Sequence, residues 1–152
     1  MNGTYPYYRD IFRRRPMPFA FVDLDRFDRN VAAILRRAGQ LPVCIASKSI
    51  RCVTLIKRIQ AASDQFHAVM AYSAREAVFL CNQGFDNLLV AYPIMGEAAS
   101  GPLCETIVSG KRITLMVDCI EQVDHLDALG RAGNTVIPIC MDICAEISWV
   151  ML

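Results

Sequence analysis

The chain has 152 residues, room for one ordinary domain, and is 54% hydrophobic and 20% charged, with a mean hydropathy of +0.30. That is more apolar than a typical soluble domain of its size, and it excludes disorder. A net charge of +1, a pI near 7.6 and the lack of any like-charge block leave no electrostatic footprint for nucleic acid.

Residues 1–18 differ from the rest, with Tyr5, Tyr7 and Tyr8 beside Arg9, Arg13, Arg14 and Arg15, closed by Pro16 and Pro18. They read as an arm outside the core whose arginines form a solvated helix end, in preference to a nucleic-acid patch. The run Phe19 to Leu24 predicts a first strand, and Asp25 is a candidate N-cap for a helix whose stripe is Phe27, Val31, Ile34, Leu35 and Ala38, stopped by Gly39. Leu41 to Ser47 is the next strand, followed by a helix with Cys52, Leu55, Ile56 and Ile59 on one face. After the strand His67 to Ala71, Ser73 and Glu76 form a capping box for a helix facing inward through Ala74, Ala77, Val78 and Cys81 and ended by Gly84. The strand Asn87 to Tyr92 leads to a weaker segment, in which Pro102 opens a short helix to about Ser109. The strand Ile113 to Asp118 comes next, then a helix that Asp118 and Glu121 resemble a capping box for and that Gly130 or Gly133 ends, and last the strand Thr135 to Asp142.

Short apolar runs, continuous rather than alternating and separated by helix-period segments, predict a parallel α/β sheet whose strands are buried on both faces. No apolar run approaches the roughly 20 residues of a membrane helix. The N-terminus breaks its one short apolar stretch with prolines and then aspartate, unlike a signal peptide, so a cytoplasmic protein without membrane or nucleic-acid partners is expected. The seven cysteines are odd in number and include no C-x-x-C pair, so they read as packed thiols and no metal site is expected from them.

In parallel sheets ligands sit at the carboxyl ends of the strands. The residues there are Asp25, Lys48, Tyr72, Tyr92, Asp118 and Asp142. Lys48 is distinctive because the chain uses thirteen arginines and three lysines. Arginine cannot form an imine, whereas a lysine amine at such a mouth can lose its proton and attack a carbonyl. From position alone Lys48 also reads as an ordinary loop lysine, Ser73 and Asp118 as helix caps, and Tyr72 and Tyr92 as amphipathic rim residues. His67 opens its strand at the far end and His125 lies within a helix, so neither is given a catalytic task. Nucleotide motifs fail, since none of the eight glycines makes G-x-G-x-x-G or a P-loop.

The pieces FAFVDLDRFDRNV, VCIASKSIRC and VMAYSAREAVFLCNQGFDNLLVAYP, in that order, resemble the N-terminal half of fold-type III pyridoxal-phosphate enzymes, the alanine-racemase-like barrels. Within these the chain is most similar to the D-threonine aldolase and D-serine dehydratase branch. The resemblance implies a (β/α)₈ barrel, of which 19–152 would supply about five parallel strands plus the N-terminal strand. It implies that Lys48 carries pyridoxal 5'-phosphate as a Schiff base, and that Tyr72, Tyr92 and Asp142 lie at the cofactor. The implied activity is that of a PLP-dependent lyase, or a racemase, on an amino acid as small-molecule substrate, with the full-length enzyme a homodimer. A divalent metal would belong to the full-length enzyme, through ligands further on. Two other readings stay open: a non-catalytic protein that binds or handles the cofactor, and a self-contained doubly wound interaction module. Because a barrel takes about 250 residues, the chain is expected to be the N-terminal portion of a longer enzyme, unable as it stands to complete a site. Its open edges should then drive self-association; sedimentation of a monomeric, cooperatively folded chain would contradict this.

Overall fold

The computed structural model describes residues 4–143, which hold a parallel sheet of five strands in the order β1 (Cys44–Ala46), β2 (Ala68–Ala71), β3 (Leu88–Val90), β4 (Ile113–Val117) and β5 (Ile139–Met141). Helices α1 (Tyr5–Ile11) and α2 (Leu24–Ala38) precede the sheet, and α3 (Val53–Ala62), α4 (Ala74–Asn82), α5 (Glu97–Val108) and α6 (Ile120–Ala132) connect its strands. Every strand pairs with the next in sequence. Right-handed crossovers in one unreversed order put the four connecting helices on a single face. The sheet is therefore singly wound, as in a barrel, and the doubly wound module is excluded by its topology.

One side of the pleat makes the core. Ile45, Val69, Leu88 and Ile113 stand in register, as do Ala71, Val90 and Leu115, and all are buried beneath the helices. Ile56 and Ile59 of α3, Ala77 and Leu80 of α4, Leu103 and Ile107 of α5 and Leu126 of α6 close over them. The opposite side carries Ala46, Met70, Leu89, Thr114 and Met116, only half-buried. Burial on both faces, expected from the continuous apolar runs, is thus one-sided among the described residues.

Several boundaries move for identifiable reasons. Phe19 to Asp23 forms no ladder, and the expected first strand is an extended lead-in. Helix α2 starts earlier than expected because Asp23, not Asp25, is its N-cap, accepting a hydrogen bond from the Arg26 backbone N–H at 3.0 Å. Asp23 also accepts a short hydrogen bond from the Tyr8 hydroxyl, which ties the arm to the body. That bond, then the Arg26 backbone, holds its carboxyl below 3.8. Ile34, expected on the inner stripe of α2, is exposed. Pro102 lies inside α5 instead of opening it, since Gly96 already accepts from the Ala99 and Ser100 backbone N–H groups at 3.2 Å. Its missing donor removes one helical bond, and it sits on the exposed side. Strand β5 is shorter than Thr135 to Asp142, because Pro138 has no N–H to add to the ladder. Gly39 ends α2 at φ +61°. Gly133, not Gly130, ends α6; at Gly130 an added Cβ would stand 2.9 Å from the Thr135 carbonyl oxygen.

At the foot of the sheet Asp86 joins β3 to β4, accepting from the Arg112 backbone N–H and from its Nε, both at 2.8 Å. Desolvation pushes the Asp86 carboxyl up, but hydrogen bonds from Arg112 and from the Asn87 backbone outweigh it and hold it below its ordinary 3.8. A carboxyl depressed in the folded state contributes stability that is present above its unfolded value and is lost as pH falls through the folded one. Urea midpoints measured from about pH 5 down to about pH 2 should therefore fall more steeply in the native chain than in Asp86→Asn. Leu115→Ala should cost about 2–5 kcal/mol in the same unfolding experiment, and Met116→Ala, one residue along on the open side, distinctly less.

Candidate active site

Parallel strands in sequential order carry every strand-to-helix turn to one edge of the sheet, and β1 delivers Lys48 there. Ser47 to Ser49 form a 3-10 turn, closed by the Ile50 and Arg51 backbone N–H groups donating to the Ser47 carbonyl at 2.9 and 2.8 Å. Arg51 completes the turn in the left-handed region at φ +51°, a conformation uncommon for residues other than glycine. Ser47 is 1% exposed, and its hydroxyl donates to the Met70 carbonyl at 2.9 Å, pinning the end of β1 to β2. The backbone that carries Lys48 is thus fixed while the lysine itself is exposed.

The Lys48 Nζ donates to the Tyr92 hydroxyl at 3.2 Å, and the Tyr92 ring meets Tyr72 edge to face with centroids 5.0 Å apart. Three residues from the ends of three successive strands therefore form one group. Asp142 lies beyond them at the end of β5, where its backbone N–H donates to the Val117 carbonyl at 2.8 Å. Among the described residues its side chain has no bond to the lysine group. Asp118 is occupied as well: its Oδ1 accepts from the Gln122 side chain, whose Oε1 accepts from the Asp118 backbone. This reciprocal clasp replaces the expected Asp118 and Glu121 box, and Cys119 is the N-cap of α6. Asp25 lies within α2 and takes no part.

Two contributors were not singled out for the site from sequence. Ser47 precedes the lysine without a motif to mark it. Glu76 reads there only as a capping residue; Ser73 does accept from the Glu76 backbone, but the Glu76 carboxylate receives the Tyr72 backbone N–H at 2.6 Å. The cap of α4 therefore also fixes the backbone of a mouth tyrosine.

Clefts elsewhere lack this chemistry. One of about 690 Å³ lies between α6 and β5, lined by Leu126, Gly130, Thr135, Val136 and Ile137, with no lysine in it. No group of three or more His, Cys, Asp or Glu among the described residues could hold a metal ion. No helix among them is long and apolar enough to cross a membrane.

No curated protein matches the chain. Among solved structures, a D-threonine aldolase from Filomicrobium marinum superposes with a TM-score of 0.78 at 23% identity, covering 85% of this chain and 35% of that one. A D-threo-3-hydroxyaspartate dehydratase from Delftia sp. HT23 gives 0.75 at 21% identity, covering 84% and 34%. The chain thus spans about a third of the length of these structures, and the likeness is one of fold. The family model described as the alanine racemase N-terminal domain matches residues 22–146, from just before the Asp23 cap through the whole five-stranded sheet. With the strand order and the lysine-bearing turn already pointing the same way, the chain belongs to the alanine racemase N-terminal domain family, whose members use pyridoxal phosphate.

Proposed function

We propose that this chain provides the cofactor-bearing part of a PLP-dependent lyase acting on an amino acid, with Lys48 as the attachment residue. The observation that carries this reading is a primary amine, exposed at the carboxyl edge of a parallel sheet, facing aromatic rings and free of any carboxylate partner among the described residues. A planar aromatic aldehyde needs such an amine, and it needs apolar walls beside it. Tyr72 and Tyr92 are walls of that kind, each about half exposed toward the mouth. The residues present therefore fit the reactive end and the ring of pyridoxal phosphate. When bound, that cofactor supplies an electron sink for a bond broken at the substrate Cα.

The protein's own part is positional. Ser47 fixes where the lysine leaves the sheet. The Lys48 amine must give up a proton to act as a nucleophile and regain one when displaced. Tyr92 holds its hydroxyl at the same nitrogen. Asp142, at the same edge, is proposed to approach the cofactor from the far side of the mouth.

The finer reading, lyase and not racemase, follows the structural neighbours. One is an aldolase and the other a dehydratase, and both are named for D-amino acids with a hydroxyl on Cβ. An amino acid of that class is the substrate we propose for the enzyme this chain contributes to, with a dimer as its working form.

The test is covalent capture. After incubation with pyridoxal phosphate and reduction with borohydride, peptide mass spectrometry should place a pyridoxyl adduct on Lys48 ahead of Lys57 and Lys111. Lys48→Arg, which keeps the charge but cannot form an imine, should abolish it. Equal adducts on all three lysines would overturn the reading.

A further inference from the structure

We infer that Tyr92, braced by Tyr72, is a positioning residue that holds the Lys48 amine across the mouth of the sheet before any cofactor arrives. This rests on Lys48 as the attachment residue and goes beyond it, because it gives the two tyrosines a task toward the lysine itself and not only as walls around a ligand.

An exposed lysine has a flexible four-carbon stem, and its amine samples many directions unless something holds it. Here the holding group comes from two strands away. Lys48 lies in the turn after β1, whose sheet neighbour is β2, yet its amine reaches past the end of β2 to Tyr92 just beyond β3. Neighbouring strands lie about 4.8 Å apart, so this contact draws the stem over the strand ends.

The hydroxyl makes the contact, not the ring face. Nζ stands 3.2 Å from the Tyr92 oxygen but 5.4 Å from the ring centroid, which places it on the hydroxyl side of the ring. Phenylalanine at this position would keep the wall and lose the hold.

Tyr92 is itself half exposed and needs support. Tyr72 supplies it through an edge-to-face contact at an interplanar angle of 61°. Tyr72 is anchored in turn, because its backbone N–H donates to the Glu76 carboxylate in the first turn of α4. The line of contacts runs from a capping glutamate through two rings to one amine. No buried charge or strained side chain is needed, and a single exposed hydrogen bond is weak enough to yield when the amine reacts. A pre-aimed amine meets an aldehyde in a productive direction more often than a free one.

Timed borohydride quenching of the native chain with pyridoxal phosphate, read as occupancy of Lys48 against Lys57 and Lys111 in the same digest, tests this. Tyr92→Phe should slow capture at Lys48 about fivefold, the worth of one hydrogen bond, and leave the other two lysines unchanged. Tyr72→Phe, which keeps the bracing ring, should behave as the native chain, and Tyr72→Ala should approach Tyr92→Phe. Circular dichroism and thermal melting of each variant separate a local effect from misfolding. A readout free of cofactor uses the chain reductively methylated with ¹³C-formaldehyde: Lys48 methyls should show nuclear Overhauser contacts to the Tyr92 ring, and these should be lost in Tyr72→Ala. Capture at the native rate or faster in Tyr92→Phe, or methyls without ring contacts, would overturn the positioning role and leave the attachment role of Lys48 standing. Failure of the native chain to favour Lys48 at all would instead remove the attachment reading.

Discussion

The buried ladders across the helix side of the sheet set the geometry on which everything else rests. Ile45, Val69, Leu88 and Ile113 in one row, with Ala71, Val90 and Leu115 in the next, must all face the same helices to leave water together. A slip of one residue in any strand would turn its apolar set to the open face. Register is therefore fixed along the sheet, and with it the height at which each strand ends. Lys48, Tyr72 and Tyr92 come together because three short strands stop at one level beside one another.

That constraint also separates support from chemistry. Ser47, itself buried, joins β1 to β2 through its bond to the Met70 carbonyl, whereas the lysine and the tyrosines beyond it stay exposed. A rigid base beneath the reactive group helps to hold a site within the small tolerance that chemistry demands. The Asp86 and Arg112 bridge does comparable work at the opposite edge, away from the site. Asp118 shows the complementary point: a carboxylate at a strand end is spent on the Gln122 clasp at the start of α6 and is not offered to a ligand.

The alternation of five apolar runs with helical stripes was legible in the sequence, because periods of that kind record which side chains must be covered. Lys48 was legible too, as a rare residue type at a strand end. Other features were not. The first apolar run reads as a strand but forms none, since a strand exists only through a neighbour and Phe19 to Asp23 has none among the described residues. Asp23 outcompetes Asp25 as a cap because the chain entering α2 turns at Asp23, which the Tyr8 hydroxyl also meets. Pro102 marks a helix start in isolation, yet the Gly96 carbonyl begins α5 well before it.

By itself the sequence determined the class of fold, the order of its elements and the residue types available for imine chemistry, all of which depend on local pattern. Local pattern left strand order open, and with it the choice between a singly and a doubly wound sheet, because both bury the same apolar runs; within the sequence, the family resemblance pointed to the barrel order that the structure has. Tertiary structure alone turned Tyr92 toward Lys48 and against Tyr72, and left Asp142 apart. Those two contacts join residues 44 and 20 positions apart, and they exist only once parallel strands have been brought side by side by the burial of their other face.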